Sequence, residues 1–242
     1  MQCVVLAGGL GTRMRPETML APKSMLPVHG RPFVDHQLSL LAAQGFDRAV
    51  YCIGYLGSQL RSFIGDGDRW GLNVEYADEG DDLRGTGGAL RIAYDEGLLD
   101  ERFAVLYGDS YLPIDVHPVW AAALADRRPA LMTVYGHAGE LETPNVIFER
   151  ATVARYEKRN PSSEMGHVDY GLSILKREVV DEHVPAGAVV DLADVFHVLS
   201  VRGLLAGFEI SVRFYEIGSE AGLADLDAYL ASGPHIRSLR RS

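Results

Sequence analysis

The sequence predicts an α/β protein with a Rossmann-like three-layer αβα sandwich and a mixed, mostly parallel central sheet. Through the first 107 residues, short apolar runs alternate with longer amphipathic stretches. A short apolar run is typical of a strand buried on both faces, and apolar residues at helical spacing are typical of a helix that covers a sheet. This βαβα alternation favours parallel strands with helices on both sides of the sheet.

The predicted elements follow one another regularly in the first half and less regularly in the second. The first-half strands are CVVLA, AVYCIG, LNVEYA and FAVLY, and the helices between them are VDHQLSLLAAQG, LGSQLRSFIG and GALRIAYDEGLL. The second half has predicted strands at ALMTVYG, NVIFE, ATVARYEKR and HVDYGLSILK, and predicted helices at DLADVFHVLSVRG and SEAGLADLDAYLA. Ser219 precedes the last helix and is a typical N-cap residue.

Composition indicates an ordinary globular protein and predicts a single domain over residues 1–242. Hydrophobic residues make up 47% of the chain and charged residues 23%. No apolar run approaches the roughly 18 residues of a membrane span, and the N-terminus lacks the basic flank and apolar stretch of a signal peptide. We therefore expect a cytoplasmic protein with no membrane partner.

The charge and the two cysteines exclude further classes of function. A net charge of −10 argues against a nucleic-acid partner, which needs a basic face. Cys3 and Cys52 each lie inside an apolar run and lack the spacing of a zinc site. We expect both to be core thiols.

A long glycine-rich loop, GGLGTRMRPETMLAPK at residues 8–23, follows the first predicted strand directly. Its spacing matches neither the P-loop, which ends in GK followed by Ser or Thr, nor the dinucleotide pattern GxGxxG. Glycines allow a backbone to approach phosphates closely, and Arg13 and Lys23 can meet their charge. In so acidic a chain, the positive field for a phosphorylated ligand must come from such residues, from backbone N–H groups and from metal.

This loop resembles the signature of the sugar-1-phosphate nucleotidyltransferases, GGxGTRxxPxTxxxPK. Its fixed positions are filled here by Gly8, Gly9, Gly11, Thr12, Arg13, Pro16, Thr18, Pro22 and Lys23. The resemblance continues in GTGGALRIA at residues 85–93, similar to the second glycine loop of the family, and in FAVLYGDSYL, RYEKR and FYEIGSEAGL. On its own, Asp109 after the fourth strand could equally be a turn residue. The resemblance makes it a Mg²⁺ ligand.

Two segments depart from the family pattern. Glu216 occupies the position of a second metal-binding aspartate; it keeps the oxygen ligand that Mg²⁺ prefers but adds a methylene group. Where family members commonly have Asn-Ala-Gly, this chain has Asp169, Tyr170 and Gly171. The second departure falls in a segment that the resemblance implies for binding the sugar phosphate.

The resemblance implies a full set of site residues. The nucleotide-binding half spans about residues 1–112 and the sugar-phosphate-binding half about 113–232. The implied catalytic residues are Arg13 and Lys23, and the implied metal ligands for Mg²⁺ are Asp109 and Glu216. The implied nucleotide-binding residues are Leu6, Ala7, Gly8, Gly9, Gly11, Thr12, Arg13, Glu79, Gly85, Thr86 and Gly87. The implied sugar-phosphate-binding residues are Gly88, Asn145, Glu157, Lys158, Asp169, Tyr170 and Gly171.

The implied reaction joins a nucleoside triphosphate and a sugar 1-phosphate into an NDP-sugar and pyrophosphate. A sugar 1-phosphate is a dianion near neutral pH, since its second pKa is about 6, and so it needs no general base. The chain most resembles the compact members of this family, which act on heptose, mannose or muramic-type sugar phosphates. This resemblance favours GTP as the nucleotide substrate and a manno-configured or heptose 1-phosphate as the sugar substrate.

Several alternatives stay open. One is uridylyl or thymidylyl transfer to another hexose 1-phosphate. Another is a catalytically silent homologue that binds an NDP-sugar as a regulatory subunit, and a third is a related enzyme that transfers CMP or a similar nucleotide to a phosphorylated alcohol. The sequence is compatible with a homodimer.

Overall fold

A computed structural model describes residues 1–11, 14, 17–136 and 142–233. The strands are β1 (Gln2–Leu6), β2 (Pro27–Val28), β3 (Arg31–Pro32), β4 (Arg48–Ile53), β5 (Asn73–Asp78), β6 (Arg102–Tyr107), β7 (Ser110–Tyr111), β8 (Ala130–Tyr135), β9 (Val146–Glu149), β10 (Thr152–Tyr156), β11 (Val168–Lys176), β12 (Leu205–Ile210) and β13 (Tyr215–Glu216). The α-helices are α1 (Phe33–Ala43), α2 (Gly57–Ile64), α3 (Gly85–Asp95), α4 (His117–Ala125), α5 (Arg177–His183), α6 (Leu192–Val201) and α7 (Glu220–Ala231). Short 3-10 helices lie at Glu17–Met19, Lys23–Met25 and Asp68–Trp70.

The central sheet has nine strands within the described residues, in the order β5-β4-β1-β6-β11-β8-β12-β10-β9. β5, β4, β1 and β6 pair in parallel, as do β8 and β12. β11 runs antiparallel to both of its neighbours, and so does β10. Seven of these nine strands therefore run in one direction, which confirms the predicted mixed, mostly parallel sheet.

Helices cover both faces of this sheet and enclose two separate cores. Along β1, Cys3 and Val5 pack into the core beneath α1, α2 and α4, whereas Val4 and Leu6 pack into the core beneath α3, α5 and α6. Successive side chains of a strand point to opposite faces, so a strand buried on both faces needs an unbroken apolar run. The three-layer arrangement predicted from those runs is confirmed.

The sheet places several loops at one edge. Because β1, β4, β5 and β6 are parallel, their carboxyl ends lie side by side. β11 runs against them, so its first residues, from Val168 onward, reach the same edge. The loop after β1, the residues after β5 and β6, and the start of β11 are thereby gathered in one region.

Comparison with the predicted elements shows agreement for most strands and helices and several omissions along the chain. The Ser219 side chain accepts a hydrogen bond from the Gly222 N–H at 3.0 Å, which confirms the predicted N-cap of α7. Sequence periodicity missed α4, α5, β12 and the short pairs β2–β3 and β7–β13. α3 begins at Gly85 rather than at Gly88, because the glycine loop itself forms the first turn of the helix.

Cys3 and Cys52 are both fully buried, as predicted for core thiols. They lie on opposite faces of the sheet, one in each core. Burial raises the pKa of each thiol well above its usual range. Among the helices of the described residues, none is long and apolar enough to cross a membrane.

Candidate active site

A cleft of about 440 Å³ opens at the carboxyl edge of the sheet. Its lining includes eleven of the residues that the sequence implied: Leu6, Ala7, Gly8, Gly9, Gly11, Lys23, Glu79, Gly85, Thr86, Asp109 and Glu216. It also includes residues that the sequence did not single out: Met14, Ser24, Leu83, Ala89, Tyr107, Gly108, Glu142 and Gly218. Thr12 and Arg13 lie outside the described residues.

The first glycine loop is held against the sheet edge by two contacts. Gly11 has a φ of +59°, and its carbonyl accepts a hydrogen bond from the Thr18 hydroxyl at 2.8 Å. A Cβ on Gly8 would lie 2.5 Å from Oε1 of Glu79, so only glycine allows this carboxylate to approach the loop. The other oxygen of Glu79, Oε2, accepts a hydrogen bond from the Arg84 N–H at 2.7 Å. Glu79 is thereby fixed between the two glycine loops.

Lys23 and Asp109 form an ion pair on the wall of the cleft. Nζ of Lys23 donates to Oδ2 of Asp109 at 2.7 Å. Nζ of Lys23 and Oε1 of Glu216 both lie within 3.4 Å of the point that a Cβ on Gly218 would occupy. The ammonium group and the two carboxylates therefore share one small volume of the cleft.

The β7–β13 pair brings the two acidic residues together across more than 100 residues of sequence. Glu216 pairs with Ser110, the residue after Asp109, and the Ile217 N–H donates to the Asp109 carbonyl at 3.0 Å. β7 and β13 have two residues each, too short to produce a recognisable sequence pattern. The sequence placed Asp109 and Glu216 together only through the family resemblance, whereas in the structure backbone pairing does so directly.

The second glycine loop is packed tightly against the segment before α6. A Cβ on Gly85 would lie 2.6 Å from the Val190 carbonyl oxygen, and Gly85 has a φ of +74°. The N–H groups of Gly87 and Gly88 both donate to that same carbonyl, at 2.8 Å and 3.2 Å. Neither Gly87 nor Gly88 lines the cleft, and the N–H groups of both are already hydrogen-bonded within the protein. Close packing against residues 188–190 explains why both positions are glycine.

The implied sugar-phosphate residues form a second cluster beside the cleft. Asn145 Oδ1 accepts a hydrogen bond from the Asp169 N–H at 3.1 Å, and the Asn145 carbonyl accepts one from the Glu157 N–H at 2.9 Å. The Glu157 carboxylate accepts hydrogen bonds from the N–H groups of Arg159 and Asn160 and shapes the turn that follows it. The structure therefore brings Asn145, Glu157 and Asp169 together, although none of them lines the cleft.

A polar chain connects Lys158 to the second glycine loop. Nζ of Lys158 lies 3.4 Å from Oδ2 of Asp191, and Oδ1 of Asp191 accepts a hydrogen bond from the Thr86 hydroxyl at 2.9 Å. Asp191 is also the N-cap of α6, since its side chain accepts from the Ala193 N–H. Thr86 lines the cleft, so this chain joins the two halves of the implied site.

The side chain of Tyr170 points away from the cleft, contrary to a role in binding the sugar phosphate. It is 1% exposed and packs against Tyr135 and Phe214 in the core beneath α1, α2 and α4. Its neighbour Asp169 faces the opposite side of the sheet, because alternate residues of a strand do so. Tyr170 can contribute only backbone atoms on the side of the cleft.

The described part of the cleft lining carries more negative than positive charge. Lys23 is the one cation among the described lining residues, beside the carboxylates of Glu79, Asp109, Glu142 and Glu216. Burial raises the pKa of Glu79, against the opposing effect of the Arg84 N–H. A phosphorylated ligand in this lining therefore calls for further positive charge.

Tyr107 is the lining residue whose position the sequence could have indicated. It ends β6 two residues before Asp109, at the edge where ligands of open α/β sheets bind. Glu142 carried no comparable signal, because it follows β8 by several residues in a stretch without periodicity.

The position of the cleft, outside the carboxyl ends of the strands, is that of the ligand site in open α/β sheets. The architecture is thus that of the nucleotide-binding α/β proteins. Within that class, the chain belongs to the nucleotidyl transferase family, whose sequence profile matches residues 2–144.

Individual proteins similar to this chain bear the names of nucleotidyltransferases that act on sugar 1-phosphates. A UTP–glucose-1-phosphate uridylyltransferase from Synechocystis is 29% identical over 84% of this chain and 56% of its own length. A mannose-1-phosphate guanylyltransferase from Mycobacterium tuberculosis is 30% identical over 98% of this chain and 67% of its own length. The solved UDP-glucose pyrophosphorylase from Acinetobacter baumannii has the same fold, with a TM-score of 0.78 at 16% identity over 98% of this chain and 95% of its own. The resemblance to sugar-1-phosphate nucleotidyltransferases is confirmed, and the chain spans little more than half of the Synechocystis relative.

A matched pair of glycines tests the packing of the second loop. Gly85 is the first residue of α3 and Gly97 lies two residues after its end, with φ values of +74° and +71°. A Cβ on Gly97 would meet nothing within 4 Å. We expect Gly97→Ala to cost about 1 kcal/mol of unfolding free energy from backbone strain alone. Gly85→Ala should cost clearly more, because its Cβ also collides with the Val190 carbonyl. Urea unfolding of both variants measures this, and equal losses would show that the contact with Val190 is not tight.

Proposed function

We propose that this protein transfers a nucleotidyl group from a nucleoside triphosphate to a sugar 1-phosphate. A phosphate oxygen of the sugar 1-phosphate forms a bond to the α-phosphorus of the triphosphate. The bond between the α-phosphorus and the α,β-bridging oxygen breaks, and its electron pair leaves with pyrophosphate. The products are an NDP-sugar and pyrophosphate, and we place the reaction in the cytoplasm, where both substrates are available.

The observation that carries this proposal is the Lys23–Asp109 ion pair beside Glu216 in the cleft of a nucleotidyl transferase family member. Phosphoryl-transfer chemistry depends mainly on positioning and on positive charge rather than on a covalent nucleophile. The Lys23 ammonium can meet the charge of the triphosphate, and Arg13, ten residues before it in the same loop, is proposed to add a second positive charge. The nucleophile, a dianion, requires no base from the protein.

The two acidic residues fit a magnesium ion. Mg²⁺ is usually bound by one or two carboxylates together with substrate phosphates and water, and Asp109 and Glu216 provide two carboxylates in one part of the cleft. The excess of negative charge in the described lining would also attract a divalent cation. When bound there, Mg²⁺ would supply positive charge to the α-phosphate and to the incoming sugar phosphate. We propose that Asp109 and Glu216 hold it.

For the base and the sugar, we propose GTP and a manno-configured or heptose 1-phosphate. The M. tuberculosis relative, which matches 98% of this chain, bears the name of a mannose-1-phosphate guanylyltransferase.

A screen of pyrophosphate release tests the proposed reaction directly. Each of GTP, UTP, dTTP and CTP is paired with mannose, glucose and heptose 1-phosphates and with a phosphorylated alcohol that is not a sugar, in the presence of Mg²⁺. We expect turnover with GTP and a manno-configured substrate to exceed the other combinations. Nucleotide or NDP-sugar binding without turnover in any pair would instead indicate a regulatory binding protein, and turnover only with a phosphorylated alcohol other than a sugar would indicate the third alternative.

Substitution of the loop cations tests their role. We expect Lys23→Ala and Arg13→Ala each to lower kcat/KM by about 10² to 10³, the scale on which one electrostatic donor to a transition state contributes. Lys176→Ala is the matched control, because Lys176 lies at the opposite edge of the sheet and pairs with Glu178. Unfolding by urea should be similar for all three variants. Near-normal turnover in Lys23→Ala would contradict the mechanism.

Substitution of the carboxylates tests the metal site by activity and by binding. EDTA should abolish turnover. Glu216→Asp should raise the Mg²⁺ concentration for half-maximal rate, because it withdraws the carboxylate by about 1.5 Å whereas metal–oxygen distances tolerate only about 0.2 Å. Glu216→Gln and Asp109→Asn should have larger effects, since they also remove a charge.

Electron paramagnetic resonance of Mn²⁺, measured with the nucleotide bound, reports metal affinity without turnover. We expect wild type to bind Mn²⁺ most tightly, Glu216→Asp less tightly, and Glu216→Gln and Asp109→Asn most weakly. Glu149→Gln is the control, since Glu149 is exposed at the end of edge strand β9. Identical metal curves for wild type and the Glu216 variants would exclude Glu216 from the metal site.

A further inference from the structure

Asp169 stands at the sheet edge beside the cleft, among the residues implied to bind the sugar phosphate, and hydrogen bonds hold its backbone and its carboxylate. It lies near the start of β11, where its N–H donates to Asn145 Oδ1 at 3.1 Å. Its own Oδ1 accepts a hydrogen bond from the Gly171 N–H at 2.9 Å. The residue as a whole is half-buried, between the buried Val168 and Tyr170.

The surroundings of this carboxylate are polar and include few positive groups. The hydroxyl of Tyr107, a residue of the cleft wall, donates to Asp169, and Lys158 lies close enough to stabilise its charge. Tyr156 on β10 lies close enough to Asp169 and to Asp191, at the start of α6, to feel the charge of both. Burial raises the pKa of Asp169 to about 6, and the Gly171 N–H, Lys158 and the Tyr107 hydroxyl partly offset this effect.

Aspartate and asparagine differ in chemistry although their shapes are nearly equal. An asparagine, common at this position in the family, offers both an acceptor oxygen and an N–H donor, whereas an ionised aspartate only accepts. A sugar hydroxyl can donate to Asp169, but a carboxylate on the sugar would face like charges on Asp169 and Asp191. Glu142, on the wall of the adjacent cleft, adds a further negative charge.

We propose that Asp169, held by Tyr107 and Gly171, is a specificity-determining residue that accepts a hydrogen bond from a sugar hydroxyl and excludes sugar 1-phosphates that bear a carboxylate. The proposal rests on the nucleotidyl transfer proposed above and narrows its substrate class to neutral, hydroxyl-rich sugars. It disfavours the muramic-type substrates, because those carry a carboxylate.

The experiment compares a hexose 1-phosphate with the corresponding hexuronic acid 1-phosphate in wild type, Asp169→Asn and the charge-matched control Glu149→Gln. We expect wild type and the control to prefer the neutral sugar by about 10² or more in kcat/KM, since like-charge contacts are strongly disfavoured. Asp169→Asn should narrow that preference at least about tenfold, through KM for the sugar and with KM for the nucleotide unchanged. A preference that is the same in all three proteins overturns the proposal.

The dependence on pH separates a carboxylate that binds sugar from one that merely supports the fold. Asp169 is ionised above its pKa of about 6 and gains a proton as the pH falls through that value. In wild type, KM for the sugar should therefore rise below about pH 6 more than in Asp169→Asn. The ratio of the two proteins cancels the titration of the sugar phosphate itself, which both share. Parallel pH profiles would count against a direct contact.

Calorimetry keeps the inference testable if turnover fails. Binding of the NDP-hexose and the NDP-hexuronate to wild type and to Asp169→Asn should show the same loss of discrimination as the kinetics. Absence of turnover with preserved discrimination in binding would refute the proposed reaction and support the role of Asp169. Turnover without any effect of Asp169→Asn would refute the role of Asp169 alone.

Discussion

The close approach of Gly108 to the end of β1 is the constraint on which the geometry of the cleft depends. Its N–H donates to the Leu6 carbonyl at 2.9 Å, and a Cβ there would lie 2.7 Å from the same oxygen. The chain leaving β6 can therefore turn directly across the end of β1. This turn places Asp109 beside the first glycine loop, within reach of Lys23, and sets β7 in line to pair with β13.

Charge then accounts for how the phosphorylated substrates proposed for this protein fit so acidic a chain. Among the described lining residues the carboxylates outnumber the single lysine, and that lysine is paired with Asp109. A cleft of this kind gains positive charge from a divalent cation, which the carboxylates attract, and from the loop that carries Arg13. The net charge of −10, at first sight unfavourable for a nucleotide, is compatible with metal-assisted binding on this account.

The same sheet edge also gathers residues for both of the proposed substrates. The loops after β1, β5 and β6 come from the parallel half of the sheet, whereas Asp169 comes from β11, which runs the other way. Lys158, Asp191 and Thr86 connect the two sides by polar contacts. The residues implied for the nucleotide and Asp169, implied for the sugar phosphate, thus come from strands of opposite direction that meet at one edge.

The sequence by itself determined the parallel half of the sheet, the glycine loop and the presence of Asp109 at a strand end, because apolar period, glycine spacing and signature residues are local properties. Only the tertiary structure decided that the amides of Gly87 and Gly88 are occupied by Val190, that Tyr170 faces the opposite core, and that Tyr107 lies between the cleft and Asp169. It also supplied the β7–β13 pairing that sets Glu216 beside Asp109. Each of these features depends on contacts between residues far apart in the chain. A strand of two residues, or the face of the sheet to which one side chain points, leaves no periodic pattern in the sequence.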